Sequence, residues 1–251
     1  MRAESHINAN CIEAAAAKFD PDRAGEYEKQ SRIGLAGYDA CHELSACMLA
    51  AALGAGTTAS ILVVGAGGTA QEIITAGKLE PNWRFTAIDP SRPMLDLAIQ
   101  RLTAAGLAGR TDVRLGYVDD LLGDEQFDAA TLIGVLHHLP GEEAKENILK
   151  AVAKRLKPKA PLILAGNHYA YSSQPLMLAA WRERWRMYGA TAEEVTAKLG
   201  KIQQGADPPQ SEVAVISLLK GAGFGQTTRF FGSLFWGAWL ARREDTLTWQ
   251  G

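Results

Sequence analysis

An apolar run, Ile61-Leu-Val-Val64, stops at Gly65-Ala-Gly-Gly-Thr-Ala70, and a second run from Phe85 stops at Asp89-Pro90. An apolar strand that ends in a glycine-rich turn and enters a helix brings backbone close to a ligand. An acid closing the next strand, 24 positions after Gly65, suits the two hydroxyls of a ribose. Together the two junctions imply a nucleoside-containing cofactor.

The rest of the chain alternates around these junctions. Strand-like runs fall at 60–65, 84–89, 112–116, 128–134 and 161–166, with helical periodicity at 69–78, 92–105 and 141–156. Continuous apolar strands separated by helices call for a parallel sheet covered on both faces. A helix at 212–220 leads through Gly221-Ala-Gly-Phe224 to strands near 224–231 and 234–242, whose short connection makes them antiparallel. The expected fold is α/β and Rossmann-like, with seven strands, mostly parallel, and an antiparallel last strand. Two segments depart from the rhythm. Residues 11–56 read as helices at 27–33 and 39–53, broken at 19–22 and 34–37; residues 167–210 read as an amphipathic helix with Trp181 and Trp185 and a second helix from about 191 to 203. The expected organisation is an N-terminal helical lid (1–56) and a main domain (57–251) carrying an inserted helical cap (167–210).

Composition narrows the function. A formal charge of −2 over 251 residues provides no global attraction to nucleic acid, so a nucleic-acid partner is not expected. Cys11, Cys41 and Cys47 lack metal-ligand spacing and cannot all be paired, which suits a metal-free protein of the reducing cytoplasm. The opening MRAESHINAN has no apolar core for a signal peptide, and no run approaches the roughly 18 apolar residues of a membrane span. A homodimer is compatible with such a chain.

Gly65 to Ala70 also fits the dinucleotide pattern G-x-G-x-x-A, which by itself leaves a nicotinamide dehydrogenase, or a turn with no ligand, in play. A pyrophosphate needs exposed amides at the helix start. The methionine part of S-adenosylmethionine (SAM) carries no phosphate and needs only close backbone approach. The later blocks separate these readings: FTAIDPSRPMLDLAIQRL, DVRLGYVDDL, FDAATLIGVLHHL, ILKAVAKRLKPKAPLILAG and LLKGAGFGQTTRFF. In order and spacing they resemble the class I SAM-dependent methyltransferases over nearly all of 60 to 242. The resemblance implies methyl transfer from SAM to a small-molecule acceptor.

It also implies site residues. Gly65, Ala66 and Gly67 would lie against the methionine and ribose of SAM, Asp89 on the ribose hydroxyls, and Pro90 and Met94 about the adenine. Tyr117 and Val118 fall where the family presents an acid and a small apolar residue; with the acid missing, adenine recognition shifts to backbone groups or Asp119. Gly134 would admit the aminocarboxyl end of methionine. Val63 and Thr69 replace the acid and third glycine common in the first motif. The leader FDPDRAGEYEKQSRIGLAGYDACHEL resembles that of the carboxy-SAM synthase branch, where a Gly-Tyr ends the first helix and its tyrosine touches the cofactor; Tyr38 matches it, with Arg32 nearby. That branch, acting on SAM and prephenate for tRNA modification, holds its carboxylate with an arginine where this chain has Gly200 and Lys201. Lysine lacks Arg's bidentate fork, so ordinary methyl transfer is favoured.

Substrate-side candidates come from the residues themselves. His138, in His137-His138 after the fourth strand, is placed for general-base work near neutral pH. His168 and Tyr169, with Tyr171, follow the fifth strand at the edge where such folds bind ligands. Trp181, Trp185 and Tyr188 share one helix face and read either as core or as an aromatic substrate wall. Arg182, Arg184 and Arg186 alternate on the same helix and read as solvated or as partners of a substrate carboxylate. Outside methyl transfer, the competing classes are a dehydrogenase, which would bind NAD(P)H, and a non-catalytic adaptor, which would bind no SAM.

Overall fold

The computed structural model describes residues 24–245; the expected break at 19–22, Cys11 and the start of the lid lie outside them. Fifteen regular elements follow the expected order: α1 (Ala24–Gly34), α2 (Tyr38–Leu53), β1 (Ser60–Val64), α3 (Gln71–Leu79), β2 (Arg84–Asp89), α4 (Arg92–Ala104), β3 (Thr111–Leu115), β4 (Ala129–Ile133), α5 (Gly141–Arg155), β5 (Pro161–Asn167), α6 (Pro175–Met187), α7 (Ala192–Gly205), α8 (Glu212–Gly221), β6 (Phe224–Ser233) and β7 (Trp236–Arg243). The strands form one sheet in the order β3-β2-β1-β4-β5-β7-β6. β1 to β5 pair in parallel, while β7 runs antiparallel to both β5 and β6. The reversed last strand of the sequence reading is thus present.

Both faces of the sheet are buried, which is why β1 and β5 are apolar without alternation. On one face Leu62, Leu132, Leu162 and Leu164 pack with Leu149 and Val152 of α5 and Leu219 of α8. On the other, Ile61, Val63 and Ile163 pack with Leu49 of α2, Ile73 of α3 and Leu102 of α4. Chain reversals carry local signals: Gly65 adopts φ +72, and a Cβ there would lie 2.2 Å from Val135 Cγ2. The start of α7 is a reciprocal cap, in which Glu194 N–H donates to Thr191 Oγ1 (3.2 Å) and Thr191 N–H donates to Glu194 Oε2 (2.8 Å).

A further apolar cluster joins helices from the two ends of the chain. Ile33 of α1 packs with Tyr171, Trp181, Trp185, Val195, Leu199 and Phe235. Trp181 Nε1–H donates to Gly34 O (2.9 Å), and Arg184 donates to Ile33 O and Arg32 O (2.7 and 2.8 Å). α6 therefore supplies donors for the open carbonyls at the C-terminus of α1, where a cation is also favoured by the helix dipole. These contacts correct two expectations. Trp181 and Trp185 are only 3% and 4% exposed and form the centre of this cluster, not an open substrate wall. Arg184 caps α1, and Arg186 pairs with Glu183 on the surface (2.8 Å), the solvated role that the sequence also allowed for Arg186.

Lys145 of α5 is a second tie that the sequence reading did not include. Its side chain is 3% exposed, and its ammonium donates to Leu139 O, Gly141 O and Asp207 Oδ2 at 2.8, 2.8 and 2.9 Å. Gly141 N–H donates to the same carboxylate (2.7 Å). The ion pair pulls the Asp207 carboxyl below its usual range. The chain leaving α7 is thereby fastened to the start of α5.

Candidate functional site

The glycine turn, Asp89 and Gly134 come together because parallel strands β2, β1 and β4 are neighbours and all three end on the same edge. Gly65 and Ala66 donate their N–H groups to Ile88 O (2.9 and 3.3 Å), Gly68 donates to Met94 O (2.9 Å), and Gly67 donates to Asp89 Oδ2 (3.1 Å). Four successive amides of the turn are thus committed within the protein. Asp89 Oδ1 accepts the Ser91 N–H (2.8 Å). Burial raises the Asp89 carboxyl above its ordinary range, and the two backbone donors oppose that rise. Each carboxylate oxygen retains a lone pair for a further donor.

Around this centre the expected cofactor residues fall as follows. Met94 is buried and Pro90 exposed. Tyr117 and Val118 sit at a short turn after β3, with Val118 buried and Tyr117 44% exposed. Tyr117 N–H donates to Asp120 Oδ2 (2.7 Å), and Asp119 is exposed. Ala66 is fully buried among core residues, so what it can offer a ligand is backbone. Gly134 has φ +77.

Helix α1 and the start of α2 cover the turn. Tyr38 is 8% exposed, and its hydroxyl lies 2.5 Å from Thr69 Oγ1. It opens α2 after Gly37 (φ +84) and does not end the preceding helix. Tyr27 is a second contact, absent from the sequence reading: a Cβ on Gly68 would meet its ring at 2.5 Å. Burial raises its phenol, and Glu72 and Asp89 add to the effect. Glu28 forms an ion pair with Arg101 of α4. Beneath the turn, Glu72 lines a cavity of about 10 Å³ with His42 and Thr131. Burial pushes the Glu72 carboxyl up to about 7 and the His42 imidazole down to about 4. Glu72 was legible only as an acid in the first turn of a helix.

Substrate-side candidates divide by face. His138 is exposed beyond β4 and its ring lies 4.2 Å from that of buried His137. His168 is fully buried, with Nδ1 2.9 Å from Phe235 O and its ring 4.9 Å from Trp239. Trp239 belongs to the α5 and α8 face, so the His168 ring lies on that face of the sheet. Tyr169, partly buried, packs against the cluster of Trp181 and Tyr171. Asn167, the neighbour of His168, points to the opposite face, the one on which Ala165 packs with Leu35 and Tyr38. Lys201 is exposed on α7. Among the described residues no group of three His, Cys, Asp or Glu could hold a metal, and no helix is long and apolar enough to cross a membrane.

Comparison with known proteins follows this geometry. Residues 62–162 match a family profile described as a methyltransferase domain. Solved structures with the same fold include the DhpI–SAH complex (16% identity, 95% of this chain and 100% of that chain, TM-score 0.64) and human N-acetylserotonin methyltransferase in complex with SAM (15%, 97% and 60%, 0.61). A third is N,N-8-amino-8-demethyl-D-riboflavin dimethyltransferase from Streptomyces davawensis (19%, 82% and 57%, 0.53). The chain spans about half the length of several other solved proteins it matches. Residues 62–162 thus match a methyltransferase-domain profile and lie within a seven-stranded, Rossmann-like fold shared with solved methyltransferases.

Proposed function

We propose that this protein is a SAM-dependent methyltransferase acting on a small-molecule acceptor. The observation that carries the reading is the state of the glycine turn. Its amides at Gly65, Ala66, Gly67 and Gly68 are already bonded inside the protein, which holds the turn rigid and suits a ligand approached by backbone beside Asp89. The match of 62–162 to a methyltransferase domain and the SAM and SAH named with two structural neighbours support the same cofactor.

SAM supplies a methyl group already activated by a sulfonium. The chain's own residues have binding and positioning to do: Asp89 accepts the ribose hydroxyls, Gly65 to Gly67 and Gly134 admit the methionine part, and Pro90, Met94, Tyr117, Val118 and Asp119 surround the adenine. Helix α1 with Tyr27, and the start of α2 with Tyr38, close over the cofactor as a lid, and α6 and α7 extend that lid. Closure aligns the acceptor for in-line attack and excludes water, which supplies much of the acceleration. His138 at the exposed mouth takes the acceptor's proton where one must leave. Carboxy-SAM chemistry is disfavoured because Lys201 is exposed and would hold a carboxylate without a fork. The free thiols Cys41 and Cys47 are in keeping with the expected cytoplasmic location.

Calorimetry tests the reading. S-adenosylhomocysteine and SAM are expected to bind and NADH not to; NADH binding without a SAM signal refutes it. Incubation with SAM and prephenate should yield no carboxy-SAM by mass spectrometry.

A further inference from the structure

We propose, resting on the methyl-transfer reading above, that Asn167 determines acceptor specificity: its buried amide hydrogen-bonds the hydroxyl or N–H of a neutral, planar aromatic acceptor. Asn167 ends β5 and is 5% exposed. Its Nδ2 donates to the Tyr171 hydroxyl (2.8 Å), while its Oδ1 is buried with no hydrogen-bond partner. Exchanging the oxygen and nitrogen of the amide leaves the same deficit, because one hydroxyl serves one end. A buried amide end left unpaired is costly and rare in native proteins. An acceptor bearing a polar hydrogen would relieve it.

Position adds chemistry. The cross-strand partner of Asn167 is Trp236, and directly opposed residues of an antiparallel pair share a face. The Trp236 indole reaches back over the end of the sheet to within 3.5 Å of where a Gly134 Cβ would stand, so it bridges Asn167 and the glycine assigned to the methionine end of SAM. The flanking clusters contribute Leu35, Tyr38 and Ala165 on one side and Ile33, Tyr171 and Phe235 on the other. These are apolar or aromatic and uncharged, which favours a flat neutral ring over a carboxylate or phosphate. Tyr171 is itself held between Trp181 and Phe235, with ring centroids 5.9 and 5.0 Å away. The hydroxyl that orients the amide is therefore fixed by packing. Ile33 of α1 and Trp181 of α6 pack in the same cluster as Tyr171, so entry of the acceptor requires that packing to open.

The test uses full-length protein saturated with S-adenosylhomocysteine. Two matched pairs, 2-naphthol with 2-methoxynaphthalene and indole with N-methylindole, are titrated by calorimetry. The member with the polar hydrogen should bind about tenfold more tightly, the scale of one satisfied buried hydrogen bond. Asn167→Leu, similar in volume, should bring the ratio within about twofold and leave S-adenosylhomocysteine affinity unchanged. Tyr171→Phe keeps the ring packing and should lower the ratio about threefold, and it decides the matter alone if Asn167→Leu does not fold. The extra methyl is equally bulky for every variant, so a ratio that survives both substitutions is steric and overturns the proposal. Failure of both pairs to bind the loaded protein, or equal affinity within each pair in the wild type, also overturns it. Failure of S-adenosylhomocysteine itself to bind refutes the methyltransferase reading instead, so the two failures are distinct.

Discussion

Acidification from pH 6.5 to 4.5 should destabilise the fold by an amount set chiefly by two buried histidines and the half-buried Glu72. The imidazoles of His42 and His168 are pushed from 6.5 to about 4, chiefly by burial. A base depressed in the folded state contributes stability above its unfolded pKa that is lost as pH falls toward the folded value, because the unfolded chain takes the proton first. Glu72 acts in the opposite sense. Its carboxyl rises from 4.5 to about 7, so its contribution is full below 4.5 and disappears as pH rises through 7. Between these limits the unfolded chain holds about two histidine protons and the folded chain about one, on Glu72. The net uptake of about one proton on unfolding predicts a loss of roughly 1.4 kcal/mol per pH unit, or about 3 kcal/mol over the window. That is a sizeable part of the ~5–15 kcal/mol typical of a domain. Urea unfolding followed by tryptophan fluorescence at half-unit steps measures the slope. Glu72→Gln removes the opposing proton and should roughly double it, to about 2.7 kcal/mol per unit, whereas His42→Gln should bring it near zero. Comparing variants cancels the contribution of every other titrating group. A Glu72→Gln slope equal to or smaller than the wild-type slope refutes the reasoning.

Three further outcomes are expected. Asp89→Ala should weaken SAM binding by about 1.5–3 kcal/mol, the scale of hydrogen bonds to a charged group, while circular dichroism stays native; an unchanged dissociation constant by calorimetry removes Asp89 from the site. Lys145→Met should cost about 1–3 kcal/mol in urea unfolding, since two carbonyls lose a charged donor while the half-exposed Asp207 carboxylate returns to water; an unchanged urea midpoint would show the tie to be dispensable. Hydrogen exchange over residues 24–40 should slow when S-adenosylhomocysteine is added, through Tyr27 and Tyr38 on the glycine turn; equal exchange with and without ligand argues that this segment only packs.

Local chemistry was legible in the amino-acid sequence because it depends on neighbours a few positions away. The apolar runs of β1 and β5, the glycine turn after Val64, the acid at Asp89 and the helix starting near Thr191 are properties of short segments, and each lies where the pattern indicated. The reversed β7 followed from connection length. Tertiary structure decided which candidate side chains could meet. His168 and Asn167 are adjacent in sequence, yet the two-residue period of the strand turns the histidine toward Trp239 and the amide toward Trp236 on the opposite face. Spacing placed Trp181 and Trp185 on one helix face; only the docking of Ile33 from α1 made that face a core. Tyr27 on Gly68 and Lys145 with Asp207 join residues 41 and 62 positions apart. Periodicity along the chain carries no information about pairings across such distances, because they are selected by the burial of whole faces and the pairing of charges excluded from water.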